Sequence, residues 1–393
     1  MSGRPIVFFL SGDFPEGNGA NSRIKAYAHA LQDAGNFVEL IYLWPSLFNN
    51  EGINSRASGT WENIPFRFIT GDCRRPETFT GKLFQSIQSF LLIINYFIIN
   101  HRKFQISYLY SPEIIFHWHV ILLSKIFRKK IIFEQTELKS SFRDIKRPPH
   151  KFLRFLNQWD ERNAHHLCDH MIVISKNLFT HYKDYFAKDR LSLIPIVVDL
   201  RRFNNSVVQQ KNLIGYIGSF GYKDGIEGMI NAFERAYRQN PEIRLRMIGY
   251  CENFDRIKNI IDSKNLTSCV ELTGLVRYNM IPILLEECEL LLMNRIDTKY
   301  AHYGSPTKLA EYLASGVPTV VTNVGDIKDY LTHQFDTYII TAENEIELSN
   351  TILLRFREKE LFNAMGKQGR ITCEQKFSHS TQLKQLVKIM ESI

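Results

Sequence analysis

Six cysteines (Cys73, Cys168, Cys251, Cys269, Cys288 and Cys373) are scattered through 393 residues without one C-x-x-C pair. That spacing gives neither a zinc site nor a disulfide framework, and a reducing compartment fits best. No apolar run exceeds ten residues. The longest, Phe90–Ile99, contains Asn95 and is half of the ~20 residues that span a bilayer. The N-terminal run I-V-F-F-L is too short for a signal peptide, and no cleavage pattern follows it. The expectation is a cytoplasmic chain that is not an integral membrane protein. No strand is followed by G-x-G-x-x-G, and the Gly215, Gly218, Gly221 spacing is wrong for a nicotinamide site. Zinc-finger spacing and RNP-type aromatic motifs are absent too, which sets nucleic acid aside as a partner.

What is present is ordinary globular material, 44% apolar and 23% charged, which excludes a disordered or fibrous chain. At roughly 100–200 residues per domain, the length suits two or three domains. Charge is unevenly shared. Residues 1–205 carry 27 Lys and Arg against 18 Asp and Glu, a net of +9, whereas residues 206–393 carry 22 against 23, a net of −1. Basic clusters at Arg74-Arg75, His101–Lys103, Arg128–Lys130 and Arg143–Arg154 read either as solvated faces or as a surface for anionic lipid or a phosphate-bearing acceptor.

Both halves alternate strand-like apolar runs with helical segments, the pattern of an α/β fold with parallel sheets. Strands are predicted at Ile6–Leu10, Val38–Leu43, Ile106–Tyr110, Lys130–Glu134, Met171–Ile174 and Leu191–Ile194. The cadence restarts after the polar stretch Asn204–Asn212, with strands at Leu213–Gly218, Arg244–Ile248, Val270–Thr273, Leu290–Met293, Thr319–Thr322 and Thr337–Ile340. Helices are predicted at Asn21–Ala34, Lys82–Ile99, Ile226–Gln239 and Glu252–Ser263. The second is apolar nearly all round, hence buried or interfacial. The domains implied are 1–205, 206–375 and a last helix, 376–393, packing back on the first. Two doubly wound domains bind ligands beyond the carboxyl ends of their strands, so a cleft between facing tips is the expected site.

The segment Tyr303–Thr322 (Y-G-S-P-T-K-L-A-E-Y-L-A-S-G-V-P-T-V-V-T) carries the most chemistry. Ser305 reads as a helix cap with Pro306 at the first helical position. The free N–H groups of that turn, with Lys308 two residues further in, make an anion site suited to phosphate. Glu311 lies one turn from Lys308, about 7.5 Å along the axis from Pro306, within reach of ribose hydroxyls. Taken alone, the segment reads first as an ordinary capped helix with Glu311 solvated or paired to Lys308. The histidines of F-H-W-H (His117 and His119) point to different faces of a helix and, with His165-His166, read as structural.

In this segment and in other blocks the chain resembles retaining glycosyltransferases of family 4, which have the two-domain GT-B fold. The subset it is most similar to reads F-P-T-K-L-x-E-Y-L-A-x-G-x-P-V-V here. Gly17-Asn18-Gly19 through Arg23 resembles that family's first Gly-rich loop. Val173–Lys176, Ile194–Phe203, Tyr216–Gly225 and Val270–Val276 resemble further blocks in the same order. The resemblance implies that Glu311 binds the ribose of a nucleotide-sugar donor and that Gly304, Ser305, Pro306 and Thr307 hold its diphosphate. It implies that Gly17 and Gly19 approach from the other domain, and that Gly218, Ser219, Lys223, Val276 and Tyr303 line the donor site. Lys308 and Arg295 fit as charge partners of the phosphates, with Asp297 orienting one of them or touching the sugar, and His302 a weaker donor contact. Three positions depart from the family pattern. Tyr303 replaces the first Glu of E-x7-E, Ser219 and Asp224 stand where Arg and Lys are usual, and Thr136, flanked by Glu134 and Glu137, stands where histidine is frequent.

Negative charge built on a departing diphosphate would be stabilised by the helix terminus, Lys308 and Arg295. No D-x-D occurs, so the expected reaction is metal-independent, without a cofactor beyond the donor, and by family resemblance retaining. The acceptor implied is a glycan, lipid-linked at the inner face of the membrane, in surface polysaccharide assembly. A degenerate GT-B partner subunit that binds without transferring, and a nucleotide-sugar epimerase, remain as alternatives.

Overall fold

A computed structural model of the chain describes residues 3–17, 19–46, 54–144, 151–203, 207–249 and 254–393. The chain divides into two compact units, which among the described residues hold 3–143, 151–195 and 382–393 in the first and 144 and 196–381 in the second. The linker candidate 204–212 therefore lies in unit 2, with its residues 204–206 outside the described ones, as are Asn18, Cys251, the start of the Glu252–Ser263 helix and most of the basic run after Arg143.

Among the described residues, unit 1 has eight strands: β1 (Ile6–Ser11), β2 (Val38–Trp44), β3 (Ser58–Trp61), β4 (Ile64–Phe68), β5 (Ile106–Tyr110), β6 (Lys130–Gln135), β7 (His170–Val173) and β8 (Leu191–Leu193). Their order is β3-β4-β2-β1-β5-β6-β7-β8. Helices α1 (Gly19–Asp33), α2 (Phe79–Asn100), α3 (Ile114–Ile126), α4 (Lys151–Leu167) and α5 (Lys176–Tyr182) connect them. The central strands are buried on both faces, as continuous runs such as I-V-F-F-L demand of a parallel sheet with helices on its faces. The β3–β4 hairpin is antiparallel and escapes the sequence pattern. Its two turn residues, Glu62 and Asn63, both have positive φ (47° and 66°) without the glycine that normally announces such a turn.

Helix α2 starts at Phe79, where the Thr78 side chain caps it by accepting the Gly81 N–H, and continues as a single 3-10 turn to Lys103. By length and composition this stretch could cross a bilayer, and 28% of its most apolar window is buried. The ten-residue run counted in the sequence understates it, because polar side chains within the helix are turned inward. Ser89 Oγ donates to the Leu43 carbonyl (2.8 Å), and Tyr96 Oη donates to Glu39 (2.7 Å).

Unit 2 has six parallel strands, β9 (Leu213–Ile217), β10 (Arg244–Ile248), β11 (Val270–Gly274), β12 (Leu290–Met293), β13 (Thr319–Thr322) and β14 (Tyr338–Ile340), in the order β11-β10-β9-β12-β13-β14. Its helices are α6 (Ile226–Gln239), α7 (Phe254–Ser263), α8 (Ile281–Glu286), α9 (Lys299–Tyr303), α10 (Thr307–Ala314), α11 (Ile327–Tyr330), α12 (Glu345–Arg357) and α13 (Lys359–Lys376). A last helix, α14 (His379–Ser392), begins in unit 2 and from residue 382 belongs to unit 1. In unit 2 the strand order reverses between β9 and β12. In a doubly wound sheet the loops leaving the carboxyl ends of two such strands diverge and leave a crevice.

Candidate active site

The loops after β9 and β12 carry Gly218–Gly225 and Asn294–Asp297, and two hydrogen bonds pin one to the other. Asn294 Nδ2 donates to the Gly225 carbonyl (2.8 Å), and the Ile296 N–H donates to the Lys223 carbonyl (3.1 Å). Gly225 has a φ of +56°, and a Cβ there would stand 2.8 Å from Asn294 Nδ2, so this turn requires glycine. Helix α10 is anchored to the same strand ends by Tyr312. Its hydroxyl accepts the Ile217 N–H (2.7 Å) and lies 3.3 Å from the Leu292 carbonyl. Sequence reasoning passed over Tyr312; its signal was a buried-type tyrosine on the apolar face of an otherwise aliphatic helix.

Helix α10 begins at Thr307, one residue later than expected. Pro306 takes the cap position with extended backbone (φ −76°, ψ 102°), and no side chain caps the turn, so Ser305 is not the cap. Proline's fixed φ suits either position, and the ψ of 102° decides between them. The uncapped first turn points its positive end outward.

Lys308 projects from this turn into a buried cluster. Its Nζ donates to Asp224 Oδ1 (2.6 Å) and to Tyr216 Oη (3.1 Å), and lies 4.5 Å from the centre of the Tyr216 ring. Burial pulls the Lys308 pKa down, with Asp224 opposing it. Burial pushes Asp224 up, but the Lys308 charge and hydrogen bond outweigh it and hold the carboxyl below its usual range. Lys223 and Arg295 add positive charge at Asp224. The cluster is three cations about one carboxylate, a net of +2 by formal charge. Lys308 does not pair with Glu311: its ion-pair partner is Asp224, and that of Glu311 is Arg202.

A Cβ on Gly218 would come within 2.6 Å of Lys308 Nζ and would collide with Tyr216 Oη. Gly218 is therefore where the backbone yields space to the lysine. Ser219 beside it is exposed, and Val276 on the loop after β11 is half-buried. Arg295 is buried. Its N–H donates to Thr322 Oγ1 (2.8 Å) and its guanidinium to the Gly304 carbonyl (3.3 Å), tying the residue before Ser305 to the β12 loop. Lys223 Nζ lies 3.4 Å from Tyr300 Oη, and Tyr303 is half-buried at the end of α9. Asp297 orients neither Lys308 nor Arg295. Its Oδ1 faces His302 Nε2 (2.5 Å), while His302 Nδ1 accepts the Gly325 N–H (3.2 Å), so the histidine's bonded partner is the carboxylate five residues before it.

Glu311 is 8% exposed and its partner is Arg202, whose guanidinium donates to Oε1 (2.8 Å) and to the Tyr278 carbonyl (2.8 Å) and lies 3.4 Å over the Tyr278 ring. Asp199 accepts the Arg201 N–H (3.0 Å) and so caps the short turn that aims Arg202. Sequence reasoning missed Arg202, which is 109 residues from Glu311 in the chain.

In unit 1, Gly17 and Gly19 follow the carboxyl end of β1. A Cβ on Gly17 would collide with Asn21 Nδ2, which donates to the Asp13 carbonyl (2.6 Å); Gly19 is exposed at the start of α1. Glu134, left open by the sequence as a sugar or acceptor contact, is fully buried between Arg23 and Tyr108, both of which hydrogen-bond it. It is thus a structural partner, whereas Glu137 is half-buried. His117 and His119 do not point to different faces: both are buried beside Trp44, with ring centres 5.8 and 6.4 Å from it. Burial lowers their pKa values to about 3 and about 4, which leaves both neutral at pH 7. Among the described residues no group of three or more His, Cys, Asp and Glu could hold a metal ion.

Asp13, 6% exposed on the loop after β1, gives a pH-dependent prediction. Burial pushes its pKa up to about 6 against hydrogen bonds from Ser46. A group raised above its unfolded value of 3.8 contributes most to stability below that value, and the contribution is lost as pH rises through 6. Asp13→Asn is therefore expected to stabilise the protein by about 2–3 kcal/mol at pH 7.5 and by little at pH 4. Urea unfolding at both pH values checks this, and a difference independent of pH would contradict it.

The profile of the family described as Glycosyl transferases group 1 matches residues 198–372. The mannosylfructose-phosphate synthase of Agrobacterium fabrum is 22% identical over 257 residues, covering 59% of this chain and 56% of that protein. The amylovoran biosynthesis glycosyltransferase AmsK of Erwinia amylovora is 22% identical over 210 residues, covering 52% and 51%. The chain thus spans about half the length of these curated relatives. Among solved structures, the sucrose-phosphate synthase of Thermosynechococcus elongatus superposes with a TM-score of 0.76 at 14% identity, over 99% of this chain and 98% of that one. The Anabaena protein HepE, solved in complex with UDP-glucose, gives 0.75 at 14% identity, over 99% and 100%. Residues 198–372 thus match the Glycosyl transferases group 1 family, in a chain that has the GT-B fold along its length.

Proposed function

We propose that the chain transfers a sugar from a nucleoside diphosphate sugar to a glycan acceptor. The observation that carries this reading is the convergence of Lys308, Arg295 and Lys223 beside an uncapped helix terminus, with Glu311 one turn into that helix. A diphosphate seated at the terminus meets N–H groups and net positive charge, while Glu311 Oε2, which takes no hydrogen bond from any described residue, is left for a ribose hydroxyl. As the bond from the anomeric carbon to the diphosphate oxygen breaks, the electron pair stays with the diphosphate, and these cations stabilise it more in the transition state than in the ground state. The acceptor oxygen forms the new bond and its proton passes to the departing phosphate.

The sequence resemblance to family 4 supports retention of configuration, and the lack of D-x-D supports a reaction without metal. The basic first half supports a lipid-linked acceptor at the inner membrane face, in surface polysaccharide assembly. One observation favours a second reading, binding without transfer: Asp224 already neutralises part of the Lys308 charge.

A thermal-shift panel of UDP, GDP, ADP, CMP and NAD tests the donor site. One nucleoside diphosphate at about a hundred times its Kd should raise Tm by roughly 5–10 °C. Release of free sugar from the matching donor separates the two readings. No shift with any nucleotide would overturn both.

A further inference from the structure

The connections β4 to β5, β5 to β6 and β6 to β7 all move the same way across the sheet of unit 1, and right-handed crossovers place α2, α3 and α4 on one face of it. The outer sides of these helices expose large apolar side chains in place of most of the polar ones of a solvated layer, nearly continuously on α2 and α3 and between Lys151, Gln158 and Arg162 on α4. Of the twenty-four large hydrophobic side chains exposed among the described residues, fourteen lie on these three helices. On α2, Phe84, Leu91 and Ile98 recur every seven residues and are 70%, 58% and 58% exposed. Leu122 and Ile126 extend the surface on α3, and Phe155 extends it on α4. The helices adjoin one another: the Phe90 and Trp118 rings are 5.5 Å apart, and Lys125 Nζ donates to the His166 carbonyl (2.9 Å). An apolar surface this continuous marks an interaction site.

Charge identifies the occupant. From Thr78 to Phe133 the chain has one acidic residue, Glu113, against seven Lys and Arg. Arg102, Lys103 and Arg128 lie where α2 and α3 end side by side, with the Phe97 and Phe127 rings 5.9 Å apart. A second copy of the chain would bring the same positive rim against this one, whereas an anionic bilayer offers acyl chains to the centre and phosphate to the rim. We propose that the outer face of α2, α3 and α4 docks on an anionic membrane, with α2 lying in the plane of the interface. Spanning is opposed by the inner side of α2, whose Ser89 and Tyr96 are bonded to β2. The surface continues to the carboxyl end of β2, where the Trp44 ring is 6.1 Å from that of Phe116. This names the contact surface for the membrane location given above, and it rests on that part of the reading.

Flotation of the full chain with vesicles of phosphatidylcholine, alone or mixed equally with phosphatidylglycerol, tests it at low and high salt. Binding to the mixed vesicles at low salt is expected. Leu91→Ser, Ile98→Ser and Leu122→Ser combined should weaken it about tenfold or more at either salt. Arg102→Glu, Lys103→Glu and Arg128→Glu combined should weaken it roughly a hundredfold and remove the salt dependence. Wild-type protein that does not float at low salt, or a lipid-free dimer that the apolar triple variant dissociates, would overturn the proposal. The nucleotide-induced shift is read on the same samples and arises in unit 2. A shift without flotation would fault only the docking surface, and flotation without a shift would fault the donor site.

Discussion

Lys308→Met is expected to lower the transfer rate by about 10²–10³ and to lower stability together, by two separable routes. The lysine is paired with Asp224 in a buried cluster, so its removal leaves a buried carboxylate without its ion-pair partner, with Lys223 and Arg295 only near it. Breaking a buried pair from one side costs about 3–5 kcal/mol, or roughly 10 °C in Tm for a unit of this size. Adding Asp224→Asn removes the stranded charge, and the double variant should recover most of the lost Tm. Activity should not return, because the cation facing the departing diphosphate is still missing. Loss of one such contact costs about 10²–10³ in kcat. A double variant that regains both properties would show that Lys308 is only a structural partner of Asp224.

Glu311→Ala should cut the nucleoside diphosphate shift at a fixed ligand concentration to about half or less while leaving the protein folded. The carboxylate has one oxygen on Arg202 and one left for a ribose hydroxyl. A lost hydrogen bond to a charged group is worth about 1.5–3 kcal/mol, roughly 10- to 150-fold in Kd. Arg202 keeps its bond to the Tyr278 carbonyl and its stacking on the Tyr278 ring, which limits the cost in stability. Glu311→Gln should fall between wild type and alanine, because an amide oxygen still accepts a hydrogen bond. Donor affinity unchanged in Glu311→Ala, measured by titration calorimetry, would remove Glu311 from the donor site.

The strands were legible in the sequence to within a residue or two at most ends, because a run such as L-L-L-M buried on both faces suits a parallel strand wherever its neighbours come from. The helix within Tyr303–Thr322 was legible for a similar reason, since a proline at its start and a glycine at its end act within a few residues of one another, although Ser305 does not cap it. The β3–β4 hairpin was not, since Glu62 and Asn63 carry a turn that usually advertises itself with glycine.

Short-range periodicity and backbone preference were therefore enough for the parallel strands and the helix that presents Lys308 and Glu311, but not for the β3–β4 hairpin or helix α4. Which charge meets which was settled only by the folded chain. Lys308 and Glu311 share one helix, yet one turns to Asp224, 84 residues away, and the other to Arg202, 109 residues away. Folding likewise settled that α2, apolar all round in sequence, keeps one side on the sheet and shows the other outward. Coulomb attraction and desolvation depend on distance in space, and contacts across so many residues of chain exist only once the strands have been brought together.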